Sequence, residues 1–310
     1  MIRVAKLFSV TTLILLAFFT QQSNAADITI LLGADVPPYH QAIKGFIAET
    51  NHNVRQTFDM KGDFELARGI LSSIKEESQT DLIFAVGVWA LKAAIYADMS
   101  IPIVYAMVLN PPSLVGIQPN NITGASMNVA VNETLQLIRS LNPGLKRIGT
   151  FYSEKNTGFL IESAKAIAEQ FDVEIVAAEI GSSKEAMTAL QDFESNHIDL
   201  LWIIPEKLVL APDFVQEMLL FSYRNRIPSI GFSNSHAELG ALLTLAFASS
   251  EDIGKQAAEL ANLILSGKTI ETPGFTTARE TSLTINRKTA HKLGIELSPA
   301  LLDRADRIIE

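Results

Sequence analysis

Short apolar runs alternate along this chain with stretches whose apolar residues recur every three or four positions. Residues 28–32 form a five-residue run, apolar but for Thr29 and ending at Gly33, the pattern of a strand buried on both faces. Residues 39–50 follow with helical spacing, and Pro37 and Pro38 stand at their start. The alternation continues with a strand over 54–59 and a helix over 63–76, whose Phe64, Ala67, Ile70, Leu71 and Ile74 fall near the 3.6 period. Next come a strand over Leu82–Val86, a helix over 89–97 and a strand over Ile103–Val108, and a run over 121–127 completes the first series.

At Ile122 the series restarts. An apolar run containing Gly124 leads into an amphipathic helix over Val131–Leu141, an Asn-Pro-Gly break, and a strand over Arg147–Tyr152. A helix is predicted over 158–171, a strand over Glu174–Glu179, and a helix over 183–196 with Ser183 as its N-cap. Strands over 200–204 and 228–232 flank a helix over 213–224, and 241–246 is another apolar run. A long helix over Ser250–Leu265 ends at Ser266-Gly267. A strand over Thr281–Asn286 and two helices, Arg287–Leu293 and 299–309, complete the chain. The pattern predicts an α/β protein with two lobes, each a mostly parallel sheet flanked by helices. Ligands of such sheets sit beyond the carboxyl ends of the strands, and a cleft between lobes is where a small molecule is usually held.

Composition narrows the setting. The first 25 residues read as a signal peptide: Arg3 and Lys6 precede a short apolar core, and Ser23-Asn24-Ala25 fits a cleavage site. The expected location is therefore the periplasm. The chain has no cysteine, which excludes disulfides, thiolate catalysis, Cys-based metal sites and a lipid-modified N-terminal Cys. Loss of Arg3 and Lys6 takes the net charge from −9 to −11, and no Lys/Arg-rich patch marks a nucleic-acid partner. The five histidines show no metal-binding spacing and Gly231-Phe232-Ser233-Asn234-Ser235 lacks the second Gly of a nucleophile elbow, so neither a metal nor a catalytic centre is expected. No cofactor-binding motif is present.

The strand-end loops hold the candidate binding groups. After the first strand come Asp35 and Tyr39, the latter with a flat face and a polar tip. Gly87-Val88-Trp89 follows the third strand, where Gly87 allows close approach and the helix-start amides suit an anion. Asn110 and Pro111 follow the fourth, and Met127 ends the run at 121–127. In the second half the candidates are Asn156 and Thr157, which could equally be capping residues, then Pro205, Glu206, Phe232, Ser233 and Asn234. Tyr39, Trp89 and Phe232 are expected as walls and the asparagines as orienting groups.

Residues Ile122 to Ser153, with their Thr-Gly and Leu-Asn-Pro-Gly-Leu-Lys-Arg-Ile-Gly-Thr-Phe-Tyr segments, resemble the ABC-transporter substrate-binding family that includes tryptophan- and tyrosine-binding members. Ile227-Pro228-Ser229-Ile230-Gly231, Gly240-Ala241-Leu242-Leu243-Thr244, the helix from Gly254 to Lys268, Ser282-Leu283-Thr284-Ile285-Asn286 and Lys292-Leu293-Gly294-Ile295 extend the likeness over the mature chain. The resemblance implies a type I periplasmic-binding-protein fold with three crossings, expected near Thr123, Ala248 and 273–277. The lobes would then be 26–122 plus 250–274 and 123–249 plus 275–310. It also implies capture of a small organic ligand, amino-acid-like or aromatic, by a monomer that serves an ABC permease in the inner membrane, or alternatively a membrane receptor or kinase; an exported enzyme has no motif in its favour. The chain departs from the family at three strand tips. Family T-D-P, P-T-D and A-S-D stand here as Leu109-Asn110-Pro111, Pro205-Glu206-Lys207 and Phe232-Ser233-Asn234. Loss of those carboxylates predicts a less cationic ligand than an amino acid, because a buried cation without a charged partner is costly to desolvate.

Overall fold

The computed structural model describes residues 25–77, 79–97, 100–115, 121–268 and 275–310. The expected signal peptide and the start of the third crossing lie outside them. The first sheet holds β1 (Asp27–Leu32), β2 (Asn53–Asp59), β3 (Leu82–Val86), β4 (Ile103–Val108) and β5 (Ile122–Ser126), in the order β2-β1-β3-β4-β5. Every pairing in it is parallel. β3, β4 and β5 are buried throughout, and β3 and β4 carry the apolar runs that such burial requires. On one face, α2 (Phe64–Glu77) and α3 (Val88–Tyr96) cover Leu31, Ile83, Ala85 and Tyr105.

The other face is covered by α1 (Pro37–Glu49) together with α10 (Ser250–Leu265), a helix from far along the chain. The two helices meet at glycines. A Cβ on Gly45 would stand 1.9 Å from the Glu251 carbonyl oxygen, and one on Gly254 would stand 1.9 Å from that of Ala42. Only hydrogen fits at either position, so the backbones touch and Phe46 stacks on Phe84 with centroids 3.9 Å apart. Asn262 of α10 completes the contact: its Oδ1 accepts from the Asn51 N–H, and its Nδ2 donates to the Glu49 carbonyl.

The second sheet contains β6 (Arg147–Tyr152), β7 (Glu174–Glu179), β8 (Leu200–Trp202), β9 (Ser229–Gly231), β10 (Leu243–Phe247), β11 (Thr281–Asn286) and β12 (Arg307–Ile309), in the order β12-β11-β10-β9-β8-β6-β7. Only the β10–β11 pair is antiparallel. Helices α5 (Val131–Leu141) and α6 (Glu154–Ile167) cover one face, and α7 (Ser183–Ser195) and α8 (Pro212–Arg224) the other.

Three details differ from the sequence reading. β5 lies wholly in the first sheet, so the chain passes to the second at residues 127–130, a few residues beyond Thr123. Thr276 pairs along the free edge of β5, exchanging hydrogen bonds with Gly124 and Ser126, so the third passage continues to residues 277–280 before β11 begins. The final segment is α12 (Pro299–Asp303) followed by β12, not one helix over 299–309; pairing with β11 overrides its helical spacing. Smaller misses have the same tertiary or local origins. The α7 N-cap is Ser182, whose Oγ accepts from the Glu185 N–H, while Ser183 Oγ donates to the Leu208 carbonyl. Short helices α4 (Pro112–Val115) and α9 (Asn234–Leu239), not anticipated, fill strand-end connections, while α11 (Arg287–Leu293) falls where the sequence predicts it. Among the described residues no helix is long and apolar enough to cross a membrane.

Candidate ligand-binding cleft

The carboxyl ends of both sheets face each other, and the strand tips carry two buried polar clusters. The first is built on β4 and β5. Asn110 follows β4 in a left-handed conformation (φ 50°), which asparagine tolerates better than most residues, and is 3% exposed. Its backbone N–H donates to Asn128 Oδ1 at 2.8 Å, and Asn128 Nδ2 donates to Asn110 Oδ1 at 2.9 Å. Asn110 Nδ2 then reaches across to the second sheet and donates to the Pro205 carbonyl at 2.7 Å. This bond links the two lobes at the base of the cleft.

The second cluster centres on Glu206, which is 0% exposed. Its Oε2 accepts from the Ser153 N–H and Ser153 Oγ, both at 2.9 Å, and from Thr157 Oγ1 at 2.6 Å; its Oε1 accepts from the Leu208 N–H at 3.1 Å. Burial pushes the carboxyl pKa up, but the donors from Thr157, Leu208 and Ser153 outweigh it and hold the group below its ordinary value. Glu206 therefore stays ionised and draws β6, β8 and the first turn of α6 together.

Beside the first cluster lies a cavity of about 30 Å³ lined by Leu109, Met127 and Asn128 from one side and Trp202, Pro205 and Phe232 from the other. Just beyond β3, Gly87 has φ 91°, a conformation open to glycine, and its Cα faces the Tyr39 ring; a Cβ there would stand 2.4 Å from Tyr39 Cε2. Tyr39 is half-buried, and burial raises its phenol pKa.

Of the sequence candidates, Met127, Pro205 and Phe232 line this cavity, Asn110 bonds Pro205 with Pro111 buried next to it in the chain, and Tyr39 packs on Gly87 beyond β1 and β3. Asn156 and Thr157 are in the first turn of α6 rather than in a loop. Thr157 serves Glu206, while Asn156, 8% exposed, has an Nδ2 with no hydrogen-bond partner. Other candidates are turned to local duties. Asp35 is exposed and bonds His40 Nε2 at 2.5 Å. Val88 and Trp89 open α3; Trp89 is 50% exposed, with Lys92 Nζ 5.0 Å from its ring centroid. Ser233 caps α9 by accepting from the Ser235 N–H, and Asn234 Oδ1 accepts from Thr284 Oγ1 of β11 at 3.0 Å. His236 packs its ring edge-on to Phe232, and burial lowers its pKa, keeping the imidazole neutral near pH 7.

Sequence reasoning missed Asn128, Ser153 and Trp202. The first two carried a usable signal, since each polar residue closely follows a strand, as Asn110 does. Trp202 lies inside an apolar run, where nothing local distinguishes a cleft-facing ring from a core one.

The profile of the ABC transporter substrate binding protein family matches residues 43–309. A protein described as tyrosine-binding from Clostridioides difficile (strain R20291) is 26% identical over 291 residues, covering 89% of this chain and 83% of that protein. Two solved structures have a similar fold. One is a ligand-free, open substrate-binding protein with adhesive properties from Clostridium difficile, 23% identical with a TM-score of 0.68, covering 92% of this chain and 99% of that one. The other is an ABC domain from Streptococcus pneumoniae in complex with L-Trp, 19% identical with a TM-score of 0.62, covering 92% of this chain and 100% of that one. Both expectations from the sequence, of family and of fold, hold: the chain belongs to the ABC transporter substrate-binding protein family and has the two-lobed type I periplasmic-binding-protein fold.

Proposed function

We propose that this chain is a periplasmic solute-binding protein that closes its two lobes on a small organic ligand, amino-acid-like or aromatic, and delivers it to an ABC permease. The observation that carries this reading is the meeting of the two lobes at their strand tips, where Asn110 of one bonds Pro205 of the other. The space there, about 30 Å³, has room for little more than one water molecule. A ligand therefore enters only when the lobes part, and it holds them together afterwards by touching both. Its differential affinity for the closed form supplies the bias. Met127, Trp202, Phe232 and Tyr39 supply apolar walls, and Asn110 and Asn156 the orienting amides. The tyrosine-binding relative supports an aromatic or amino-acid-like ligand.

Delivery to a permease fits the family, and export fits the apolar stretch before Ala26. The test is a thermal-shift screen over amino acids, their keto acids and aromatic acids, repeated on Phe232→Ala. A ligand should raise the melting temperature of the parent protein and do so markedly less in the variant. An equal rise in both would place the ligand elsewhere. Mass spectrometry of the protein recovered from the periplasm should find Ala26 at the N-terminus.

A further inference from the structure

The base of the cleft contains a hydrogen-bond chain whose polarity is fixed at both ends. At one end stands the Asn110 backbone N–H, which can only donate; at the other stands the Pro205 carbonyl, which can only accept. The N–H takes Asn128 Oδ1, so Asn128 Nδ2 is turned to Asn110 Oδ1. Asn110 Nδ2 is thereby left facing the other lobe. The orientation of both carboxamides thus follows from backbone groups and not from a choice between amide oxygen and nitrogen.

This arrangement has a chemical consequence. Where the strand tip could have carried an ionised acceptor, it offers an N–H donor. The buried carboxylate next to Pro205 in the chain, Glu206, already accepts four hydrogen bonds from Ser153, Thr157 and Leu208. An ammonium group placed here would leave water for neutral oxygens alone, and a buried charge without a charged partner is costly. An acceptor oxygen, by contrast, would take the place that the Pro205 carbonyl now holds.

We infer that Asn110, oriented by Asn128, sets the polarity of the cleft and selects a ligand that brings a carbonyl or carboxylate oxygen, not an ammonium, to the tip of β4. This rests on the proposed function above. Calorimetric titration of the purified mature protein with matched pairs separates the two: L-tyrosine against 3-(4-hydroxyphenyl)propionate, and L-tryptophan against indole-3-propionate. The des-amino acid of each pair should bind at least about tenfold more tightly, a difference easily resolved by titration. Asn110→Asp replaces the donor by a carboxylate and should reverse the preference. Asn128→Asp should weaken it without touching residue 110, because a second acceptor facing Asn110 turns its carboxamide over and presents Oδ1 to the cleft. Since the readout is the ratio within each pair, a general loss of stability does not imitate it. Amino acids binding as well as or better than their des-amino partners would overturn the inference and leave the solute-binding reading standing. Pair ratios unchanged in both folded variants would do the same. No binding of either series at millimolar concentration would overturn both.

Discussion

The two strand-tip clusters solve the same problem in opposite ways. Each must satisfy polar groups buried at the end of a parallel sheet. In the first lobe two neutral amides pair with each other and one donor remains, which crosses to the other lobe. In the second lobe a full negative charge is buried, and every donor around it comes from that same lobe. The charged cluster is closed on itself, so it sets the shape of the tip and offers little to a ligand. The neutral cluster is open-ended and links the lobes. Formal charge in a cleft is therefore a poor guide to what the cleft presents.

The comparison can be broken from either side. The largest effect is expected from Glu206→Ala, which leaves four donor contacts from Ser153, Thr157 and Leu208 without their acceptor; a loss of about 2–4 kcal/mol should appear in urea unfolding. Asn110→Ala removes the bond between lobes, strands Asn128 Nδ2 and places alanine at φ 50°. About 1–3 kcal/mol should be lost, with a larger radius of gyration in X-ray scattering if the bond restrains the lobes. Asn110→Gly, which accepts that φ, should recover part of the stability but none of the restraint. Thr157→Val deletes one of the four contacts on Glu206 and should cost about 1 kcal/mol.

The smallest effect concerns pH. Burial depresses the His236 pKa in the folded protein below its unfolded value of about 6.5. The unfolded chain then binds the extra proton first, so stability is full above that value and declines as pH falls below it. His236→Gln should flatten that decline in thermal melts between pH 7.5 and 5.5. Glu206 acts lower on the scale. Its depressed pKa gives stability that is present above the ordinary glutamate value and lost as pH falls through the folded pKa.

How much of this was legible follows from which forces are local. The helix over Val131–Leu141 and the strands over Leu82–Val86, Ile103–Val108 and Thr281–Asn286 were readable to the residue, because their periodicity records which side chains are buried. The end of the chain was misread because residues 307–309 are held as a strand by β11, a partner more than twenty residues earlier. Asn110, Pro205 and Phe232 were legible as strand-tip residues because each follows a strand, and the fold brings Phe232 to the cavity that Pro205 lines and Asn110 to the Pro205 carbonyl. Trp89, Asp35 and Asn234 follow strands too, yet Lys92, His40 and Thr284 engage them.

The sequence by itself determined two α/β lobes and the likeness to the family. Both are written in local spacing and residue identity. Only the tertiary structure decided that Glu206 is spent within its own lobe and that Asn110 turns a donor to the cleft. The direction of an amide depends on what stands opposite each of its atoms. Here those partners lie 18 and 95 residues along the chain, beyond the reach of any local pattern.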